Sequence, residues 1–522
     1  MTNNIRFKIA ITILIFIAAF INYYVASRGA FPVDTFVHFD NGFRIVKGQK
    51  PIADYWIVHG LVVDYIQSIF FFTFGASWFS YILHSSIFNS LICIFSFILF
   101  YKYLKIEFKL SILFSVLICF LAYPISGSPF LDLHSIYFSL FSTYFIIIAI
   151  LTNKKKFWFI SSFLLGAAFF SKQVPAFYVI LTTTIFCIYY SILKKDLKIL
   201  IFYSCGGLLF GIILLIFIFF QGIEIKDLIL QLFLYPQSIG SSRYLNYGLN
   251  FENLFLNFKF IHLFLIFILI SNIILIRKKN YLKSKKFNIA IVFVLFSISC
   301  IFHQIYTKNQ IFIFFLIPLL ACLSIYYLED LKKINKKYFK FTIILLCLFF
   351  SLKYIERFLI ERKFHELNNT RLENRIKINS FDEKLKGLNW ITPHFENPQD
   401  EIDVLNKLKN LLVNDKDNKM LLTEYNFFSL LLNENLNGPS RTYDNISYPN
   451  KNSKYYANYR SFLKERLNRN KIKSIYILEP KKINQNRLDH LIFNYIKADC
   501  FSVSFIDNFI TKLEIKECND LN

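Results

Sequence analysis

The chain has 522 residues, 55% of them hydrophobic and 19% aromatic, with a formal net charge of +24. No water-soluble core is large enough for that share of apolar side chain, whereas a lipid bilayer solvates it. The basic excess does not describe a nucleic-acid surface, because Lys and Arg stand in short clusters between apolar runs.

The first apolar stretch, 9–27, lacks a small-residue cleavage site before Pro32 and is expected to be a retained helix, not a removed signal peptide. Residues 61–78 are apolar but contain Asp64 and Gln67, which suits an amphipathic helix lying on the membrane surface. Further spans are expected near 80–101, 110–124, 135–151, 157–171, 174–193, 199–220, 260–276, 287–305, 311–328 and 341–357. With the first, that makes about eleven transmembrane helices, the form in which a chain satisfies its own backbone in lipid.

Alternate connections are basic: Arg6 and Lys8; Lys102, Lys105 and Lys109; Lys154–Lys156; Lys194, Lys195 and Lys198; then 277–286 and 332–340. The positive-inside rule places these and the N-terminus in the cytoplasm. Segments 28–60, 125–134, 221–259 and 358–522 are then outside a bacterial inner membrane. Counting 61–78 as a full crossing would move every later basic cluster outside, so the same rule rejects it.

The first 359 residues therefore read as an all-α polytopic membrane domain. Residues 360–399 read as a linker with a charged helix and a loop, and 400–522 as a small α/β extracytoplasmic domain. Its expected elements are strands at Lys419–Leu422 and Lys473–Leu478 and a surface helix at Ser453–Arg469. Near the C-terminus, Phe501–Phe505, a turn at Asp507-Asn508 and Phe509–Ile515 form a hairpin that brings Cys500 and Cys518 together in an oxidising compartment. The other seven of the nine cysteines lie in apolar stretches as small hydrophobes. No CxxC or Cys/His cluster has zinc-ligand spacing, so no metal site is assigned.

Polar chemistry concentrates in 28–60, which carries Asp34, His38, Asp40, Asp54 and His59, with Asp64 just beyond. Carboxylates and imidazoles this dense beside a membrane suit acid–base work or cation binding. Isolated loop carboxylates are usually just solvated. Pro32, Gly42, Gly48, Pro51 and Trp56 argue instead for a packed segment with defined turns. In the second external segment, Asp132 and His134 form either a polar edge of the same cavity or a helix cap. His303, Gln304 and Lys308 stand near a span end, and Tyr244, Tyr247 and Asn250 in the long segment 221–259.

Asp34 just after the first span, Gly48, Lys50-Pro51-Ile52-Ala53-Asp54-Tyr55-Trp56 and Phe74-Gly75 form a pattern over roughly residues 10–200. This pattern resembles the GT-C fold glycosyltransferases that use polyprenyl-phosphate sugars, notably the aminoarabinose transferase and protein O-mannosyltransferase groups. The resemblance implies that Asp34 is the catalytic carboxylate that activates an acceptor, with Asp40 as the alternative. It implies a donor-phosphate contact at Lys50, with Lys172 and Arg243 as further external cations, and substrate contacts at His38, Asp54, His59, Asp132 and His134. The implied partners are the bilayer, a polyprenyl-phosphate-linked sugar and a glycan, lipid or protein acceptor. It assigns no cofactor: such enzymes often work without a metal, although an acidic segment can bind one. A secondary transporter or lipid-linked-glycan flippase is the alternative class, and it calls for charged residues deep in the spans.

Overall fold

Residues 3–245, 250–307, 311–332, 334–444, 446–480 and 483–518 are described by the structure, a computed structural model of the chain. Every stretch expected to span is helical: Asn3–Ala26, Trp78–Ile98, Phe108–Leu121, Leu131–Thr152, Lys156–Ser171, Gln173–Lys194, Lys198–Gln221, Lys259–Ile276, Lys285–Tyr306, Leu316–Leu328 and Lys336–Ile355. Among the described residues, 8 helices are long and apolar enough to cross a membrane, and Lys156–Ser171 and Leu316–Leu328 are shorter apolar ones. Phe219 and Phe220 on Lys198–Gln221 are 81% and 79% exposed, side chains that only lipid covers at low cost.

The chain divides into two compact units that do not follow the linear division at residue 359. One comprises Met1–Ala26, Ile82–Ile216 and Arg243–Phe364; the other comprises Ser27–Tyr81, Phe217–Ser242 and His365–Asn522. In the first unit, Leu131–Thr152 packs along Lys156–Ser171, and Gln173–Lys194 along Lys285–Tyr306. Local chemistry sets these ends. Asn153 stops its helix in the left-handed region at φ 57, which Asn tolerates. Ser284 and Asn335 cap the next helices by accepting from the backbone N–H of Phe287 and Tyr338.

The second unit holds the polar segment after the first span together with the C-terminal domain. Pro32 opens a helix over Pro32–Val46, with Asp34 in its first turn and Arg44 in its last, as the helix dipole favours. The following helix, Val62–Phe74, has 13 residues, too few to cross about 30 Å of hydrocarbon. It buries Asp64, Gln67 and Ser68 and turns Ile69, Phe72 and Phe74 outward, an arrangement suited to a helix lying on lipid.

Strands β1 (Ile376–Lys377) and β2 (Asn389–Trp390) form a short antiparallel pair. Strands β3 (Lys419–Thr423), β4 (Ser474–Leu478), β5 (Phe501–Phe505) and β6 (Ile510–Ile515) form one sheet in the order β3-β4-β6-β5. β3 and β4 are parallel and buried along their whole length. Their connection carries the helix Tyr456–Arg469, as a parallel crossover requires. β5 and β6 form the expected hairpin, and Cys500 and Cys518 beside it form a disulfide with Cα atoms 5.4 Å apart.

One expected element is absent. Among the described residues no long charged helix follows Leu359; residues 363–385 make five short 3-10 turns around β1. Arg362 adopts φ 52 and is fully buried, donating to the carbonyls of Pro124, Ile125 and Ser126. The Asn368-Asn369-Thr370 run beyond it favours turns over helix.

Candidate functional site

In the second unit, Asp34 lies half-buried one turn into the helix Pro32–Val46. One turn further, His38 is wholly buried and its Nδ1 lies 2.5 Å from Asp64 Oδ1. The other Asp64 oxygen accepts from Arg441 Nη2. Burial opposes the charge on Asp64, but Arg441 and His38 outweigh it and hold the carboxyl below its ordinary range. Burial lowers His38, against the pull of Asp64. His38 is thus engaged inside a buried network and stands away from any open surface.

Asp40 and Arg44 follow on the same helix. Arg44 donates from Nε to Gln49 Oε1 and from Nη2 to the Gly438 carbonyl, both at 2.6 Å, and its guanidinium lies 3.8 Å from the Tyr55 ring centroid. Burial raises the Asp40 carboxyl, opposed by Arg44 and by a hydrogen bond from Ser429.

The segment that carries Lys50 and Asp54 is a tight turn fixed at several points. Lys50 N–H donates to Asp54 Oδ2 at 2.8 Å, and Ile52 holds φ 76, rare for a β-branched residue. Gln231 secures it by donating to the Ile52 carbonyl and accepting from Ile57 N–H. Asp54 pairs with Arg466 at 3.0 Å. Trp56 N–H donates to the Pro439 carbonyl, and Arg441 N–H to the Trp56 carbonyl. Lys50 and His59 are half-buried.

The first unit gathers its own polar groups at one end of its helices. Lys172, between two spans, donates to Asp132 Oδ2 at 2.6 Å, and His303 Nε2 lies 3.5 Å from Asp132 Oδ1. Ser135 donates to the Lys172 carbonyl. His134 bonds Tyr123 through Nδ1 at 2.5 Å and His84 through Nε2 at 2.9 Å, all three buried. Among the described residues no group of three His, Cys, Asp or Glu side chains is placed to hold a metal ion.

No protein-family model and no curated protein matches the chain. Among solved structures, it is similar to the crystal structure of ArnT from Cupriavidus metallidurans bound to undecaprenyl phosphate. The identity is 9%, the TM-score 0.44, and the match covers 96% of this chain and 97% of that one. At that score and identity the likeness assigns neither residues nor activity.

The candidates from the sequence thus fall into two sets. Asp34, His38, Asp40, Lys50, Asp54 and His59 belong to one compact unit, and Lys172, Asp132 and His134 to the other. Arg243 stands in the helix Tyr235–Leu245, but its side chain and that of Tyr244, with Tyr247 and Lys308, lie outside the described residues. Sequence reasoning missed Arg441, Arg466 and Gln231. Arg441 meets Asp64 across 377 positions, and no local pattern marks such a pair.

Proposed function

We propose that this chain is an integral membrane glycosyltransferase that moves a sugar from a polyprenyl-phosphate donor to an acceptor hydroxyl or amine on the extracytoplasmic side of a bacterial inner membrane. The observation that carries this reading is the Lys172–Asp132 pair beside His303, gathered where several apolar helices end. Ionisable groups buried at the end of a span are costly, are usually paired with one another, and mark ligand paths. An ammonium has three N–H donors and Asp132 takes one, so Lys172 keeps donors for the phosphate oxygens.

In this reaction a carboxylate removes the acceptor proton, the acceptor attacks the anomeric carbon with inversion, and the carbon–oxygen bond to phosphate breaks. The bonding pair leaves on the polyprenyl phosphate. Asp34 is the base, with Asp40 the alternative. Lys172 stabilises the anionic leaving group. The transporter alternative calls for charge at mid-span, whereas Asp, Glu, Lys and Arg in the described spans stand within the first or last two turns.

Mass spectrometry of lipid-linked sugars and surface glycans, with and without the gene, tests the reading. Deletion should accumulate a polyprenyl-phosphate sugar and remove one glycan addition, restored by wild type and not by Asp34→Asn. Unchanged lipid-linked sugars and glycans would discard it. Restoration by Asp34→Asn but not by Asp40→Asn would move the base to Asp40.

A further inference from the structure

The lipid-facing span Lys198–Gln221 stops where Gly222 turns the chain at φ 65. Helix resumes over Ile225–Ile229 and continues as a π-helical turn over Leu230–Leu234, all within the second unit. This stretch has two unlike faces. Ile225, Ile229 and Phe233 recur every four residues and are 59%, 43% and 39% exposed. Leu228, Leu230, Gln231 and Leu232 are buried. An outward stripe of Ile and Phe is costly in water, yet 225–234 is too short to cross about 30 Å of hydrocarbon.

Its place in the chain chooses what covers it. Only Gly222, Ile223 and Glu224 separate it from the span, so Ile225 stays within roughly 14 Å of the span's last residue. The short apolar helix Val62–Phe74 reaches the same place, since its Tyr65 ring packs edge-on against Phe217, centroids 4.7 Å apart. The buried face holds the turn that carries Lys50 and Asp54. Gln231 donates to the Ile52 carbonyl and accepts from Ile57 N–H, both at 3.0 Å. An added Cβ on Gly222 would stand 3.9 Å from Lys50 Nζ, so that ammonium lies where the chain leaves the lipid.

We propose that 225–234 lies along the bilayer surface, with Ile225, Ile229 and Phe233 sunk into the boundary between headgroups and acyl chains. Gln231, on its other face, is a positioning residue that holds the Lys50–Trp56 turn at that surface. The partner is the lipid bilayer itself, continuous with the lipid around the preceding span.

The test uses the full chain in nanodiscs, carrying Ile229→Trp or Phe233→Trp; the 4 native tryptophans are buried and give a constant background. Lipids brominated near the headgroup end of the acyl chain should quench the added emission about twofold. Lipids brominated near the chain terminus, and aqueous acrylamide, should quench it less. Strongest quenching by acrylamide would put the stripe in water, and strongest quenching by deep bromines would put it inside the hydrocarbon. No quenching by any of them would place it beneath protein, such as a second copy of the chain. Each of these overturns the proposal. Gln231→Leu should keep the shallow quenching and speed amide exchange over 52–57 about tenfold, with a smaller effect for Gln231→Glu, which keeps the acceptor. Unchanged exchange in both would remove Gln231 from holding the turn. Neither measurement uses a sugar donor, so failure here is distinct from failure of the transferase reading.

Discussion

Asp64 joins His38 to Arg441, accepting a 2.5 Å contact from the imidazole on one oxygen and the guanidinium on the other. All three side chains are buried, so the network ties the segment after the first span to the C-terminal domain. Asp64→Asn leaves Arg441 buried without its counter-charge, at a cost of about 3–5 kcal/mol. A clear drop in melting temperature is the expected result. Melting like wild type would show that the arginine finds water or another acceptor.

The same network sets a pH dependence. His38 is held below its ordinary value of 6.5 by burial, so as pH falls below 6.5 the unfolded chain takes a proton that the folded one refuses. Stability from this group is complete above 6.5 and declines on acidification. The difference in melting temperature between wild type and His38→Gln should shift against wild type as pH falls from 8 to 5, the opposite contribution of Glu401 being common to both. Parallel curves would remove His38 from the account.

The spans and the hairpin were legible because hydropathy and alternation are local properties, written within twenty residues of themselves. Asp40 was legible as a polar residue in a polar segment, but Gln231, bonded to Ile52 and Ile57, is an ordinary residue of a long segment until the chain folds. The missing linker helix was misread from its charge, while the Asn368-Asn369-Thr370 run was the better guide. Arg441 follows Gly438-Pro439-Ser440, which marks a turn and nothing about Asp64.

Glu401 titrates in the opposite sense. It accepts from Trp390 Nε1 at 2.8 Å, Thr392 Oγ1 at 2.9 Å and Tyr425 Oη at 2.6 Å, yet burial still pushes it up to about 7. Between its unfolded value of 4.5 and 7, the folded carboxyl keeps a proton that the unfolded chain has released. The contribution of this group to stability therefore declines as pH rises through that window, by about 3 kcal/mol, against the smaller opposite trend from His38. Glu401→Gln, nearly isosteric and neutral throughout, should remove the decline. Its persistence in that variant would assign it to another group.

Lys172 and Asp132 are separable by a double-mutant cycle. Lys172→Met strands the buried Asp132 and Asp132→Asn strands the half-buried Lys172, and each should lower the melting temperature. The double variant should recover much of that loss, because neither charge is then left alone. If the pair serves the donor phosphate, the recovered double variant still fails to use a polyprenyl-phosphate sugar. Full transfer by it would confine the pair to a structural role.

The disulfide bears on the proposed orientation of the chain. Cys500 precedes β5 and Cys518 follows β6, and the antiparallel register, with Phe501 opposite Ile515, brings the two Cα atoms to 5.4 Å. Closing a loop with a sequence separation of 18 stabilises the folded state by about 3 kcal/mol in the chain-entropy model. Such a bond persists in an oxidising compartment and is reduced in the cytoplasm. The proposed orientation, read from the basic connections, has the residues after 358 outside. Alkaline phosphatase fused after Leu359 should therefore be active, and the same reporter after Lys198 inactive. Non-reducing mass mapping should recover a peptide joining Cys500 to Cys518, and Cys500→Ser should lower the melting temperature of the oxidised protein only. Free, alkylatable thiols at both positions, together with an inactive fusion after Leu359, would invert the topology and return 61–78 to a full crossing.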